Sequence, residues 1–81
     1  MTLKDTVNEM LSDDYKERFK AEYHQLKIRR EGLEKMMKDW RNDKLSFEPT
    51  CPYSLYVGQL DYMKRYMDIL VIRAKKEGIE L

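Results

Sequence analysis

Apolar residues recur at alternating steps of four and three along two stretches of the chain, with polar residues between them. Phe19, Tyr23, Leu26, Arg30, Leu33, Met37 and Trp40 form the first series, broken only by Arg30. Tyr53, Tyr56, Leu60, Met63, Met67, Leu70 and Ala74 form the second. A mean step of about 3.5 residues on both is the pattern of two helices packed along one seam at a shallow angle.

Start and stop signals bound the two series. In "SDDYKERF" Ser12, Asp13 or Asp14 serves as a cap, and Asp14 with Glu17 has the spacing of a capping box. Acid at this end, with Arg41 and Lys44 at the other, matches a helix dipole and predicts a helix from about 14 to 42. In "EPTCPYS" the prolines Pro49 and Pro52 push the residues before them out of helix. Pro52 suits a first turn, with Thr50 or Cys51 as the cap and Thr50 the chemically better choice. Gly78, after Lys75 and Lys76, reads as a terminator, which predicts a helix from about 52 to 77, some 39 Å long. The connection "NDKLSFEP" is short enough for an antiparallel hairpin, with Leu45 and Phe47 folded back over its end.

Residues 2–11 predict a short helix with Leu3, Val7, Met10 and Leu11 on one side. Glu31–Lys35 and Glu34–Lys38 are expected ion pairs on the outer face of the long helix. Gly32 weakens that helix by about 1 kcal/mol relative to alanine, and close packing against a neighbour is the expected compensation. The whole chain, 1–81, reads as one all-α domain: a short N-terminal helix followed by a long antiparallel helical hairpin.

The stretch "QLDYMKRYMDILVIR" has more apolar positions than one seam uses. Tyr62, Tyr66 and Ile69 make a second stripe, widened by Val71 and Ile72. The short N-terminal helix is too small to cover it, and monomers rarely leave such a patch wet. A homo-oligomer with Tyr62, Tyr66 and Ile69 at its interface is therefore expected. At roughly 25 cal/mol per Å² that burial contributes several kcal/mol.

Composition narrows the function classes. Charged residues are 38% and hydrophobic ones 42% of 81 residues, with a net charge of +1. That balance argues against a partner as long as a nucleic acid, which calls for a strong basic excess, but leaves room for a small anion held by a few cations. No apolar run reaches membrane-spanning length, and "MTLKDTVNEML" lacks the order of a signal peptide, so a cytoplasmic protein without membrane contact is expected. Cys51 is the only cysteine and His24 the only histidine. No metal spacing, nucleophile elbow or phosphate-binding glycine loop is present, so neither catalytic residues, a metal nor a cofactor is expected.

A few side chains carry candidate binding chemistry. Arg30 either pairs with a carboxylate at the edge of the seam or holds a phosphate with its forked guanidinium. Arg29 beside it shares that task or is solvated. Tyr15, at a helix start that favours anions, either staples the helix end or stacks on a base. Arg18, one turn on, is a second phosphate ligand or half of a surface pair. Tyr62 and Tyr66 fit interface packing better than ligand contact.

"DYKERFKAEYHQLKIRREGLEKMM" and "QLDYMKRYMDILVIR" together resemble the helical-hairpin proteins of phages and prophages, some related to small proteins of crAss-like phages. The likeness rests on Tyr15, Arg18, Phe19, Glu22, Leu26 and Leu33, then on Gln59, Leu60, Met63, Tyr66, Leu70 and Arg73. It spans residues 14–73, and "MTLKDTV" also resembles prophage relatives. That family includes anti-defence sponges that counter CBASS and Thoeris. The resemblance implies a symmetric oligomer that sequesters a cyclic nucleotide or cyclic ADP-ribose-type signal without cleaving it, in the cytoplasm of an infected or lysogenic bacterium. It further implies base stacking by Tyr15 and phosphate binding by a cation at Arg30, Arg29 or Lys27. The alternatives are a protein-binding inhibitor of anti-CRISPR type, whose second stripe meets a foreign protein, and a ligand-free structural hairpin.

Overall fold

The computed structural model describes residues 1–81. A 3-10 turn, Leu3–Thr6, runs into the single turn α1 (Val7–Met10), and the long helices α2 (Tyr15–Arg41) and α3 (Tyr53–Glu77) follow. The molecule is all-α, a rod of 43 × 24 × 17 Å.

Side chains at both ends of the rod fix the hairpin as antiparallel. Tyr15 reaches Glu77 at one end, and Arg41 donates to the Tyr53 hydroxyl at 2.6 Å at the other. Every predicted seam position is buried or half-buried. Phe19, Leu70, Ala74 and Ile79 form the core cluster, with Tyr23 and Leu26 packed against it. Trp40 closes the far end, edge-on to Tyr53 at 5.0 Å and Tyr56 at 5.9 Å between ring centres. Leu45 is half-buried near this end, and Phe47, 55% exposed, lines a pocket there with Leu45 and Trp40.

The helix ends follow local chemistry. Asp14 caps α2 by accepting from the Lys16 amide at 2.9 Å, and its own amide donates to Ser12 Oγ at 3.0 Å. Glu17 does not close a capping box but pairs with Lys20 at 3.1 Å. Thr50 does not cap α3. The N-cap is Pro52, whose extended ψ of 148° and missing N–H start the helix without a side-chain acceptor. Gly78 ends α3 in the left-handed region at φ 70°, and the Ile79 amide then donates back to the Ala74 carbonyl at 2.8 Å. That reversal delivers Ile79 into the core, as in a Schellman ending.

Three further expectations are corrected. The N-terminal segment docks by its polar side, and Leu3, Val7, Met10 and Leu11 all remain exposed. Thr6 is buried instead, donating to the Leu3 carbonyl at 2.7 Å and accepting from Gln25 at 2.9 Å, while Glu9 meets His24 at 3.0 Å. His24 and Gln25 on α2 supply the partners for these bonds. Second, Lys35 pairs with Asp39 at 2.9 Å and Glu34 with Arg30 at 2.8 Å, so neither predicted outer pair forms. Third, Gly32 packs against nothing: a Cβ there would meet open space.

Candidate functional site

The structure separates the four candidate ligand residues into two groups. Tyr15 bridges the two helices at one end of the hairpin, and Arg30 lies in its seam. The Tyr15 hydroxyl donates to Glu77 Oε1 at 2.7 Å and accepts from Arg73 Nη2 at 2.9 Å. Arg73 also donates to Glu77 Oε2 at 3.1 Å and lies 5.0 Å over the Phe19 ring. The bond to Glu77 raises the Tyr15 hydroxyl above its ordinary pKa, because ionising the phenol would set two negative charges together. The same bond, helped by Arg73, holds the Glu77 carboxyl below its ordinary range. Arg30 lies half-buried in the seam beside Met67 Sδ, 3.9 Å away. Its Nε is close to Glu34 but is not aimed to hydrogen-bond with it.

Arg18 and Arg29 come together on one groove of about 310 Å³. On α2, Arg18, Glu22, Gln25 and Arg29 follow at steps of four, three and four, which puts them on one stripe of the helix. Met10 of α1 and Tyr66 of α3 stand on either side, and Leu26 and Ala21 add apolar surface. The two arginines are about 16 Å apart along the axis at 1.5 Å per residue. Arg18 Nη1 donates to the Ser12 carbonyl at 2.8 Å, which aims the guanidinium and leaves further donors free. No carboxylate pairs with Arg18 or Arg29, whereas Arg30, Arg65 and Arg73 each have one four residues away. Cations at both ends of a partly apolar groove, with a ring on its wall, suit a small planar anion.

The outer stripe of α3 is open in the single chain. Tyr62 is 71% exposed, with Tyr66, Ile69, Val71 and Ile72 also exposed. Leu55, Gly58, Gln59, Tyr62 and Tyr66 line a shallow groove of about 480 Å³ along it. Gly58 leaves open space where a Cβ would stand, a notch in this face. Tyr66 lines both grooves, and its hydroxyl donates to Glu22 on the floor of the cationic one. The apolar stripe and the cationic groove are therefore continuous.

The largest cavity, about 670 Å³, lies on the other flank of α2 and is a poorer candidate. Its cations Lys35, Lys38, Arg41 and Lys44 face Glu31, Glu34 and Asp39, and it has no aromatic wall. Lys35 is already tied to Asp39 and holds that carboxyl below its ordinary range. No three His, Cys, Asp or Glu side chains gather to hold a metal ion. His24 is occupied with Glu9, while Cys51 lies in the connection after α2, beside Tyr56 at the far end of the rod. There a hydrogen bond with Cys51 raises the Tyr56 hydroxyl. No helix is long and apolar enough to cross a membrane.

Reading by seam alone misses the parts Met10, Gln25 and Tyr66 play in the groove. The signal for Gln25 is its place on the stripe from Arg18 to Arg29. Met10 and Tyr66 carry no such signal, because only the docking of α1 and α3 brings them there.

Comparison with protein families finds one that matches residues 13–76, described as Sequestin. Neither the comparison with curated proteins nor that with solved structures finds a match.

Proposed function

This chain belongs to the Sequestin family, and from that premise we propose that it is a phage anti-defence sponge. A family so described binds and sequesters rather than catalyses. The cargo we propose is a cyclic nucleotide or cyclic ADP-ribose-type immune signal, held uncleaved in the cytoplasm of the infected or lysogenic bacterium.

The observation that carries this reading is the groove where Arg18 and Arg29, paired with no carboxylate, flank the Tyr66 side chain. The arginines take the phosphates. Tyr66 takes the stacking role that the resemblance implies for Tyr15, while Tyr15 bridges the helices at one end of the hairpin and Arg30 lies in its seam. Copies of the chain associate through Tyr62, Tyr66 and Ile69. Because Tyr66 belongs to both surfaces, a second copy on that stripe borders the groove and shields the bound ligand from water. Stoichiometric capture needs this enclosure and no reacting group.

Thermal-shift screening against cyclic di- and trinucleotides and cyclic ADP-ribose isomers tests the proposal. A probe at 100 times its dissociation constant adds about 2.7 kcal/mol of stability, and Arg29→Ala is expected to reduce the shift. A flat screen overturns the reading. Sedimentation tests the assembly: a monomer at micromolar concentration favours the protein-binding inhibitor, with the α3 stripe facing a foreign protein.

A further inference from the structure

Glu22 lies between Arg18 and Arg29 on the groove floor yet pairs with neither. Its Oε2 accepts from the Tyr66 hydroxyl, and no donor of the protein is bonded to Oε1. A carboxylate oxygen of this kind accepts further hydrogen bonds and repels a phosphate placed against it. Along the helix axis Glu22 is about 6 Å from Arg18 and about 10 Å from Arg29. A ligand that satisfies all three is anionic at both ends and carries a neutral hydrogen-bond donor between them.

A nucleotide with phosphates on both sides of a ribose presents its groups in that order: charge, hydroxyl, charge. The Tyr66 ring beside Glu22 offers the base a face to stack on, which leaves the sugar for the carboxylate. We propose that Glu22 is the specificity residue of the groove, accepting a hydrogen bond from a ribose hydroxyl that lies between two phosphates. Acidic side chains read ribose hydroxyls in dinucleotide sites by the same chemistry. The inference rests on the groove reading above and adds to it the class of sugar selected.

Calorimetric titration with adenosine 2′,5′-bisphosphate, whose 3′-hydroxyl stands between the two phosphate arms, and its 3′-deoxy analogue tests it, using the wild-type chain, Glu22→Gln and Arg29→Ala. The wild type is expected to prefer the ribose probe by about tenfold or more, the effect of one hydrogen bond to a charged group. In Glu22→Gln the amide oxygen still accepts from Tyr66, and the two probes are expected to bind within about twofold of each other, since a neutral acceptor contributes less. Arg29→Ala is expected to weaken both probes by the same factor and to keep the preference. Equal wild-type affinity for the two probes, with both weakened by Arg29→Ala, overturns the role of Glu22 and leaves the groove standing. Failure of the wild type to bind either probe overturns both. Circular dichroism of Glu22→Gln separates lost preference from lost fold.

Discussion

The Tyr66 hydroxyl on α3 donates a hydrogen bond to the Glu22 carboxylate on α2. Through that contact the outer apolar stripe of one helix ends on the charged floor of a groove in the other. One side chain thus joins the surface proposed to hold a second copy to the surface proposed to hold a ligand.

Tyr66→Ala and Tyr66→Phe are therefore expected to differ. Phenylalanine keeps the ring, so sedimentation and nucleotide binding should remain close to wild type. Alanine removes the stacking face and the interface area together, and both measurements should fall. Equal behaviour of the two variants would argue that the ring has no role in either.

The clamp of Tyr15, Arg73 and Glu77 predicts a plateau in stability with limits on both sides. Glu77 has a folded-state pKa below its unfolded value, so its contribution is present above the ordinary carboxylate range and is lost as pH falls through the lowered value. Tyr15 has a folded-state pKa above its unfolded value, so its contribution is complete below the ordinary tyrosine pKa of about 10 and is lost as pH rises through the raised value. Thermal midpoints measured across pH for wild type and Tyr15→Phe should converge at both extremes and differ most near neutrality.

Two glycines should respond in opposite directions to alanine. At Gly32 a Cβ meets nothing and the helix gains propensity, so Gly32→Ala is expected to stabilise by about 1 kcal/mol. At Gly78 the backbone is left-handed, and Gly78→Ala is expected to cost about 1–2 kcal/mol. For a chain of this size each kcal/mol moves the melting midpoint by about 4–8 °C, which calorimetry resolves.

Arg30→Met should leave nucleotide binding unchanged and raise stability by about 1 kcal/mol. The methionine fills the seam beside Met67 and removes a buried Nε that has no aligned acceptor. A loss of probe binding in this variant would restore Arg30 to the ligand site.

Tyr62→Glu or Ile69→Glu should leave helicity intact and shift sedimentation from an assembly to a single chain. Each places a charge on the stripe proposed to meet a second copy, where burial without a partner is costly. Unchanged sedimentation would remove that stripe from the interface.

The seam shows how much of this fold is local. The step of about 3.5 residues from Phe19 to Trp40 and from Tyr53 to Ala74 requires two long helices facing each other whatever surrounds them. Gly78 and Asp14 end and begin helices through the conformation and hydrogen bonding of single residues. These features depend on neighbours within one or two turns, and the order of residues alone determined them. The α3 stripe was legible as a surplus for the same reason.

Only the tertiary structure decided where the N-terminal segment docks and what stands around Arg18 and Arg29. The apolar side of 3–11 predicted one docking, but Thr6, Glu9, His24 and Gln25 pair across two elements and leave Leu3, Val7, Met10 and Leu11 exposed. Tyr15 and Arg18, three residues apart, part company because Glu77 and Arg73 bond the Tyr15 hydroxyl while Arg18 lines the groove. Periodicity reports which positions share a helix face. It carries no information about the polar partner that an unrelated segment brings to that face, and those partners determine which arginines are left free.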